Sequence, residues 1–199
     1  MRKGAAAISP RIGLDLPTLV RATAQLADEQ GLREVTLANV AKQLNMRSPS
    51  LYNHIDGLSG LRNELAVYGL EQLYLRLEAA SQSLPPGKEA ILALALAYVS
   101  YARSHPGVYE ATLQAPDPGN SRLQEWSERL VLLVLKLLAP YQLEETAAIH
   151  AVRGLRSLMH GFVALKQAGG FGLPIDTDAS FRTIIEVYLS GLEQLRQPQ

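Results

Sequence analysis

The stretch VTLANVAKQLNMRSPSLYNHI, Val35 to Ile55, holds no acidic residue, in a chain of 199 residues whose 19 Lys and Arg balance 19 Asp and Glu. Leu37, Val40, Ala41 and Leu44 recur at three- and four-residue spacing. That places them on one face of a helix of about 37–44, with Thr36 as its N-cap. Ala41 is the small residue that a close helix approach needs. Asn45 falls where the chain must leave the helix, and Asn tolerates positive φ better than other non-glycine residues. Ser48 is expected to cap a short third helix of about 49–54, with Pro49 in its first position. Met46 and Leu51 then complete a small core with Val40 and Leu44. The spacing predicts a helix-turn-helix.

The free N–H groups and dipole at the start of that third helix suit a phosphate or a base edge. Recognition helices enter the major groove N-terminus first, so Ser48, Pro49, Ser50 and Asn53 would face base edges. Tyr52 and His54 can reach phosphates with a hydroxyl and a ring N–H. Lys42 and Arg47 add charge, and the Thr36 end of the second helix can dock on the backbone. The alternative is an ordinary helical hairpin in a core, which any one of these residues alone would favour. A small residue, a turn residue, a cap with proline, apolar spacing and absent acids coincide in one window, and that conjunction points to double-stranded DNA.

Around this window the chain reads as all-α. Hydrophobic residues make up 47% of the sequence, enough for a real core, and β-branched residues rarely cluster. Nine helices and no convincing strand are expected: about 17–30, 37–44, 49–54, 58–80, 88–104, 107–114, 121–139, 144–168 and 179–195. Ser121 and Gln124 have capping-box spacing at the seventh. SLPPGK (83–88), APDPGN (115–120) and GGFGLP (169–174) are breaks between helices. The expected organisation is a helix-turn-helix head of residues 1–57 and a larger helical bundle of residues 58–199, the fourth helix belonging partly to both. Arg2, Lys3 and Arg11 suggest a basic N-terminal arm. Residues 1–55 carry seven Lys and Arg against four Asp and Glu, a local excess suited to a polyanion near the N-terminus only. There is no cysteine, hence no disulfide or thiolate site. No segment has the length of a signal-peptide core or a membrane span, so a cytoplasmic protein without a membrane partner is expected.

The stretch TLANVAKQLNMRSPSLYNHI resembles the DNA-binding signature of TetR-type (tetracycline-repressor-like) transcriptional regulators, its SLYNHI matching the signature's TLYxHF-like core. The resemblance spans Pro17 to about Leu65. It departs at Leu58, where a basic residue usually opens the fourth helix. Further on, HPGVYEATL (105–113) and RGLRSLMHGFVAL (153–165) resemble a C-terminal subfamily marked by a Trp-His-Gly motif, with Met159 in place of the Trp and His160 and Gly161 retained. The resemblance implies an effector-binding and dimerisation domain after the head.

Ala147, Ala151, Gly154, Leu158, Gly161, Leu165 and Ala168 alternate at spacings of four and three. Phe181, Ile184, Tyr188, Gly191 and Leu195 repeat similarly on the last helix. Two such helices from each of two chains could make a four-helix interface. An internal seam within one monomer fits the same spacing. The family resemblance implies the homodimer, through Ala151, Gly154, Leu158, Gly161, Leu165, Ile184, Tyr188 and Gly191.

Tyr98, Tyr101, Tyr109 and Trp126, with His150 and His160, are candidates for lining a site for a small organic effector, although each could equally be satisfied core. No metal or cofactor is expected: His54 and Asp56 lack a third ligand nearby, and His150 and His160 are not at His-x-x-x-His spacing. The leading functional expectation is a dimeric, ligand-responsive DNA-binding regulator, a repressor acting at a palindromic operator. The rival is an all-helical enzyme acting on an apolar molecule, against which no nucleophile–base pair, paired carboxylates or cofactor fingerprint emerges. A third reading is an architectural DNA-binding protein without an effector.

Overall fold

In the computed structural model, the structure describes residues 14–113 and 119–195. The expected basic arm and most of the APDPGN loop lie outside them. Among the described residues there are eight α-helices, three short 3-10 segments and no strand. The helices are α1 (Leu16–Gln30), α2 (Leu37–Gln43), α3 (Gly57–Ser81), α4 (Lys88–Ser104), α5 (Pro106–Ala111), α6 (Ser121–Leu138), α7 (Glu145–Gln167) and α8 (Thr177–Glu193). The 3-10 segments are Leu32–Glu34, Ser48–Asn53 and Ala139–Tyr141.

Local chemistry sets the ends. Asp15 caps α1 by accepting the Thr18 N–H at 2.8 Å, and the Thr18 hydrogen bonding holds its carboxyl below the ordinary carboxylate value. Gly31, at φ 94°, closes the helix with its N–H on the Ala27 carbonyl. Thr36 caps α2 as expected, accepting the Asn39 N–H at 3.2 Å.

One expected helix type and two expected caps differ. The helix that follows the turn is a 3-10 segment rather than an α-helix. Pro49 has no N–H to give, and Ser50 N–H closes onto Arg47 O at 2.9 Å in the tighter i to i+3 pattern. Its N-cap position is held by Arg47 with no side-chain cap bond, so Ser48 is not the capping residue. At α6 the cap is Asn120, whose side chain accepts the Leu123 N–H at 3.2 Å, in place of the Ser121 box.

The three helical pieces of the head wrap round Leu19, Val35, Val40, Leu51, Leu61 and Leu65, all fully buried. Each such side chain contributes roughly 1.5–3 kcal/mol by leaving water. Leu51→Ala would cost about 2–5 kcal/mol, because the vacated space cannot collapse fully. The same apolar core continues into the body through Leu94, Tyr101, Leu155, Phe181 and Ile185. The 25-residue α3 is the shared beam: it packs on α1 at one end and on α4, α5 and α6 along the rest. No helix among the described residues is long and apolar enough to cross a membrane.

Candidate nucleic-acid interface and apolar cavity

The turn between α2 and the 3-10 segment has a defined hydrogen-bond pattern. Asn45 sits at φ 52°. Its N–H reaches Lys42 O at 3.1 Å, and the Met46 N–H reaches Ala41 O at 2.8 Å. These two bonds form a Schellman motif with Asn at the left-handed position. They turn the chain sharply enough for Leu51 to pack beside Val40 and Ala41. The residues expected to touch DNA come together as a result. Lys42, Arg47, Pro49, Tyr52 and Asn53 are exposed, Tyr52 at 61%, while Thr36, Ser48, Ser50 and His54 are half-buried. Leu58 packs against the core. Arg62, one turn further along α3, is exposed and offers a positive charge that the sequence reading passed over.

Within the body, α3, α4, α6 and α7 line a partly open cavity of about 150 Å³. Its walls are mostly Leu and Val, with Tyr98 on α4, Thr112 after α5, Ser127 on α6, and Arg156 and Met159 on α7. Of the six candidates for a ligand site, only Tyr98 reaches this wall. Its hydroxyl lies 2.9 Å from the Tyr109 hydroxyl, which in turn lies 2.7 Å from His160 Nδ1. Burial pushes the Tyr98 and Tyr109 phenols up, well beyond the ordinary value for Tyr109. Tyr109 and His160 stand behind the cavity and face a separate recess beside Gly107 and Gln167. Tyr101 is buried core, its hydroxyl donating to the Gly69 carbonyl at 3.1 Å. Trp126 stacks against Tyr74 and beneath the Arg129 guanidinium, next to the lining Ser127. His150 is exposed and does not line the cavity. Arg156, Ser127 and Thr112 went unnoticed in the sequence, and Met159 was noted only for its place in the Trp-His-Gly stretch, not as a lining residue. Val152, Leu155, Arg156 and Met159 share one helical stripe, so an arginine within an apolar stripe was the available signal.

The expected seam on α7 and α8 divides in two. Ala151 is buried and its carbonyl accepts the Tyr188 hydroxyl at 2.8 Å. A Cβ on Gly154 would overlap that hydroxyl. These three residues serve the contact between α7 and α8 within one chain, because the small side chains let the tyrosine lie flat across α7. Leu158 and Gly161 are half-buried, whereas Leu165, Ile184 and Gly191 are exposed, joined by Val187 at 66% and by Leu195. Open space surrounds Gly161 and Gly191. Among the described residues no group of three His, Asp or Glu could hold a metal ion.

A three-piece helical head with a left-handed turn residue, set on a larger helical body with an internal cavity, defines a helix-turn-helix protein of regulator type. Residues 91–188 match the family described as "Tetracyclin repressor-like, C-terminal domain". The chain is 46% identical over 187 residues to the uncharacterised HTH-type transcriptional regulator YobS of Bacillus subtilis (strain 168), covering 93% of this chain and 96% of that protein. It is 31% identical over 182 residues to an uncharacterised HTH-type transcriptional regulator of Mycobacterium tuberculosis, covering 91% of this chain and 83% of that one. Among solved structures, a Rhodococcus sp. RHA1 protein of unknown function superposes with TM-score 0.78 at 21% identity, over 94% of this chain and all of that one. A TetR variant from Acinetobacter baumannii AYE in complex with minocycline superposes with TM-score 0.69 at 22% identity, over 93% and 99%. These two likenesses concern the fold. The chain belongs to the TetR family of DNA-binding transcriptional regulators. The matches carry that family and not the finer Trp-His-Gly subfamily.

Proposed function

We propose that this regulator works as a cytoplasmic homodimer, a repressor that leaves a palindromic operator when a small apolar or amphipathic molecule binds it. The observation that carries the reading is the acid-free ridge from Arg47 to His54, exposed on one side and fastened to α2 by the Asn45 turn on the other. Ser48, Pro49, Ser50 and Asn53 then read bases, while Thr36, Lys42, Arg47, Tyr52, His54 and Arg62 hold phosphates. The head is residues 1–57 and the body residues 58–199.

Only about three or four of the six phosphate-holding side chains in one head can neutralise charge, so one head binds weakly. Two heads held at fixed spacing, neutralising about six to eight phosphates, would give a salt slope of roughly −5 to −7. The exposed apolar residues Leu165 on α7, Ile184 and Val187 on α8 and Leu195 just past it support a partner copy, since an isolated chain would leave them in water. The α3–α4–α6–α7 cavity supports an effector site. A ligand placed there acts only by favouring one head arrangement over another, and α3 runs from the cavity wall to the head. The enzyme reading gains little from the cavity, since its Tyr98 hydroxyl reaches the His160 imidazole only through the Tyr109 hydroxyl, outside the wall.

Selection of bound fragments from a random DNA pool tests the reading. Enrichment of a two-fold symmetric site is expected. Failure to enrich any sequence, at low salt and with folded protein, would overturn it.

A further inference from the structure

Among the described residues, Arg156 is the one cation on the cavity wall. It projects from α7 among Val152, Leu155 and Met159, and it keeps part of its surface in solvent, so it stands at the mouth. No carboxylate of a described residue pairs with it, whereas Arg122 and Arg129, on the neighbouring α6, are each ion-paired at 2.7–2.8 Å. Burial raises the Tyr98 and Tyr109 phenols, and Arg156 opposes it, by charge at both and by a hydrogen bond at Tyr98. Arg156 is exposed, so water solvates its charge while the site is empty, and with no carboxylate beside it the guanidinium is free to meet an anion at the mouth of the cavity.

The rest of the wall limits what that partner can be. Leu70, Leu73, Leu94 and Val134 offer no polar group. The Thr112 hydroxyl is committed to the Tyr109 carbonyl at 2.7 Å. A volume near 150 Å³ matches a cavity that takes up a single aromatic ring. One guanidinium neutralises one charge, and a second anionic charge would be left unpaired against leucine. We infer that the cavity takes a small organic monoanion, a carboxylate whose apolar body is about one aromatic ring in size, with its head on Arg156 and its body against the α3 and α6 leucines and valines. The inference rests on the cavity being the effector site of the proposed function.

Phenylacetate, phenethyl alcohol and phenethylammonium share one skeleton and differ in head charge. Trp126 is the only tryptophan and packs against the cluster that holds the lining Leu70, so its emission is one reporter of occupancy. Calorimetry gives an independent affinity. The carboxylate is expected to bind about ten-fold or more tightly than the alcohol, and the ammonium not at all. Arg156→Gln should abolish that preference while leaving the alcohol's affinity unchanged, and Arg156→Lys should keep part of it. Met159→Trp, read by calorimetry because it adds a second tryptophan, should exclude the carboxylate and the alcohol. Equal affinity for carboxylate and alcohol, binding of the ammonium, unchanged preference in Arg156→Gln, or no binding of any probe to folded protein would each overturn the assignment. A gel shift on the selected DNA is scored separately. Carboxylate binding that leaves DNA bound supports the ligand class and counts against the repressor reading. DNA binding with a preference for the alcohol overturns the class alone.

Discussion

Asp28, near the end of α1, fastens the head to the body: its carboxylate lies 2.8 Å from His105 Nδ1 and accepts the Val108 N–H at 2.9 Å. His105 Nε2 faces the Arg76 guanidinium at 3.2 Å, an arrangement satisfied by an imidazole with its proton on Nδ1. Just beyond His105, a Cβ on Gly107 would overlap the backbone carbonyl of Ala27. The His-Pro-Gly run thus ends α4, starts α5 and brings backbone against backbone between the two parts. Tyr109, on the same short helix, is hydrogen-bonded to the cavity-lining Tyr98.

Asp28→Ala should loosen this joint without emptying the core. The carboxylate is partly solvated, so a loss of about 1 kcal/mol is expected, a fall in Tm of roughly 2–4 °C. Gly107→Ala should cost more, about 1–3 kcal/mol, because the obstacle is backbone and cannot rotate away. Thermal melts check both. A Gly107→Ala protein that melts like the parent would contradict the close approach.

At the DNA surface, Tyr52→Ala is expected to weaken binding by a similar factor on every sequence, whereas Asn53→Ala should change the preference among half-sites, by about 1–3 kcal/mol at the affected position. Gel shifts against the selected site and single-base variants separate the two effects. Unchanged affinity in both proteins would refute the contact assignment.

For the dimer, Gly161→Leu and Val187→Glu should both favour monomers. Neither position is filled by the chain's own atoms: a Cβ on Gly161 meets nothing, and Val187 is 66% exposed. The fold of each monomer should therefore survive, and circular dichroism checks that. Sedimentation equilibrium showing an intact dimer in both variants would move the interface elsewhere.

Alkaline titration offers a check on the packing. Burial raises Tyr98, Tyr101 and Tyr109 above the ordinary tyrosine value near 10. A raised folded-state value means their contribution to stability is complete below about pH 10 and declines as pH rises above it. Absorbance at alkaline pH should show these three of the eight tyrosines ionising only as the protein unfolds. Ionisation of all eight at pH 10 with helix content intact would contradict the buried arrangement.

The head was legible in the sequence because its information is local. Val40, Ala41, Asn45 and Leu51 lie within a dozen residues, and helical periodicity plus one left-handed turn residue leave a single compact arrangement. Even there, the α-versus-3-10 character of Ser48–Asn53 depended on hydrogen bonds that composition does not reveal. The body was legible as helices, since Gly, Pro and Asn mark their ends, but not as a site. Arg156 reads as a surface residue in sequence and remains exposed, and it borders a cavity only because α6 and α3 pack over the rest of its stripe. Ala151 and Gly154 read as an interface, and the Tyr188 hydroxyl, 37 residues from Ala151, takes them up inside the monomer. Periodicity determines which residues share a face. What that face meets is decided by the packing of segments distant in the chain, and only the tertiary structure carries that.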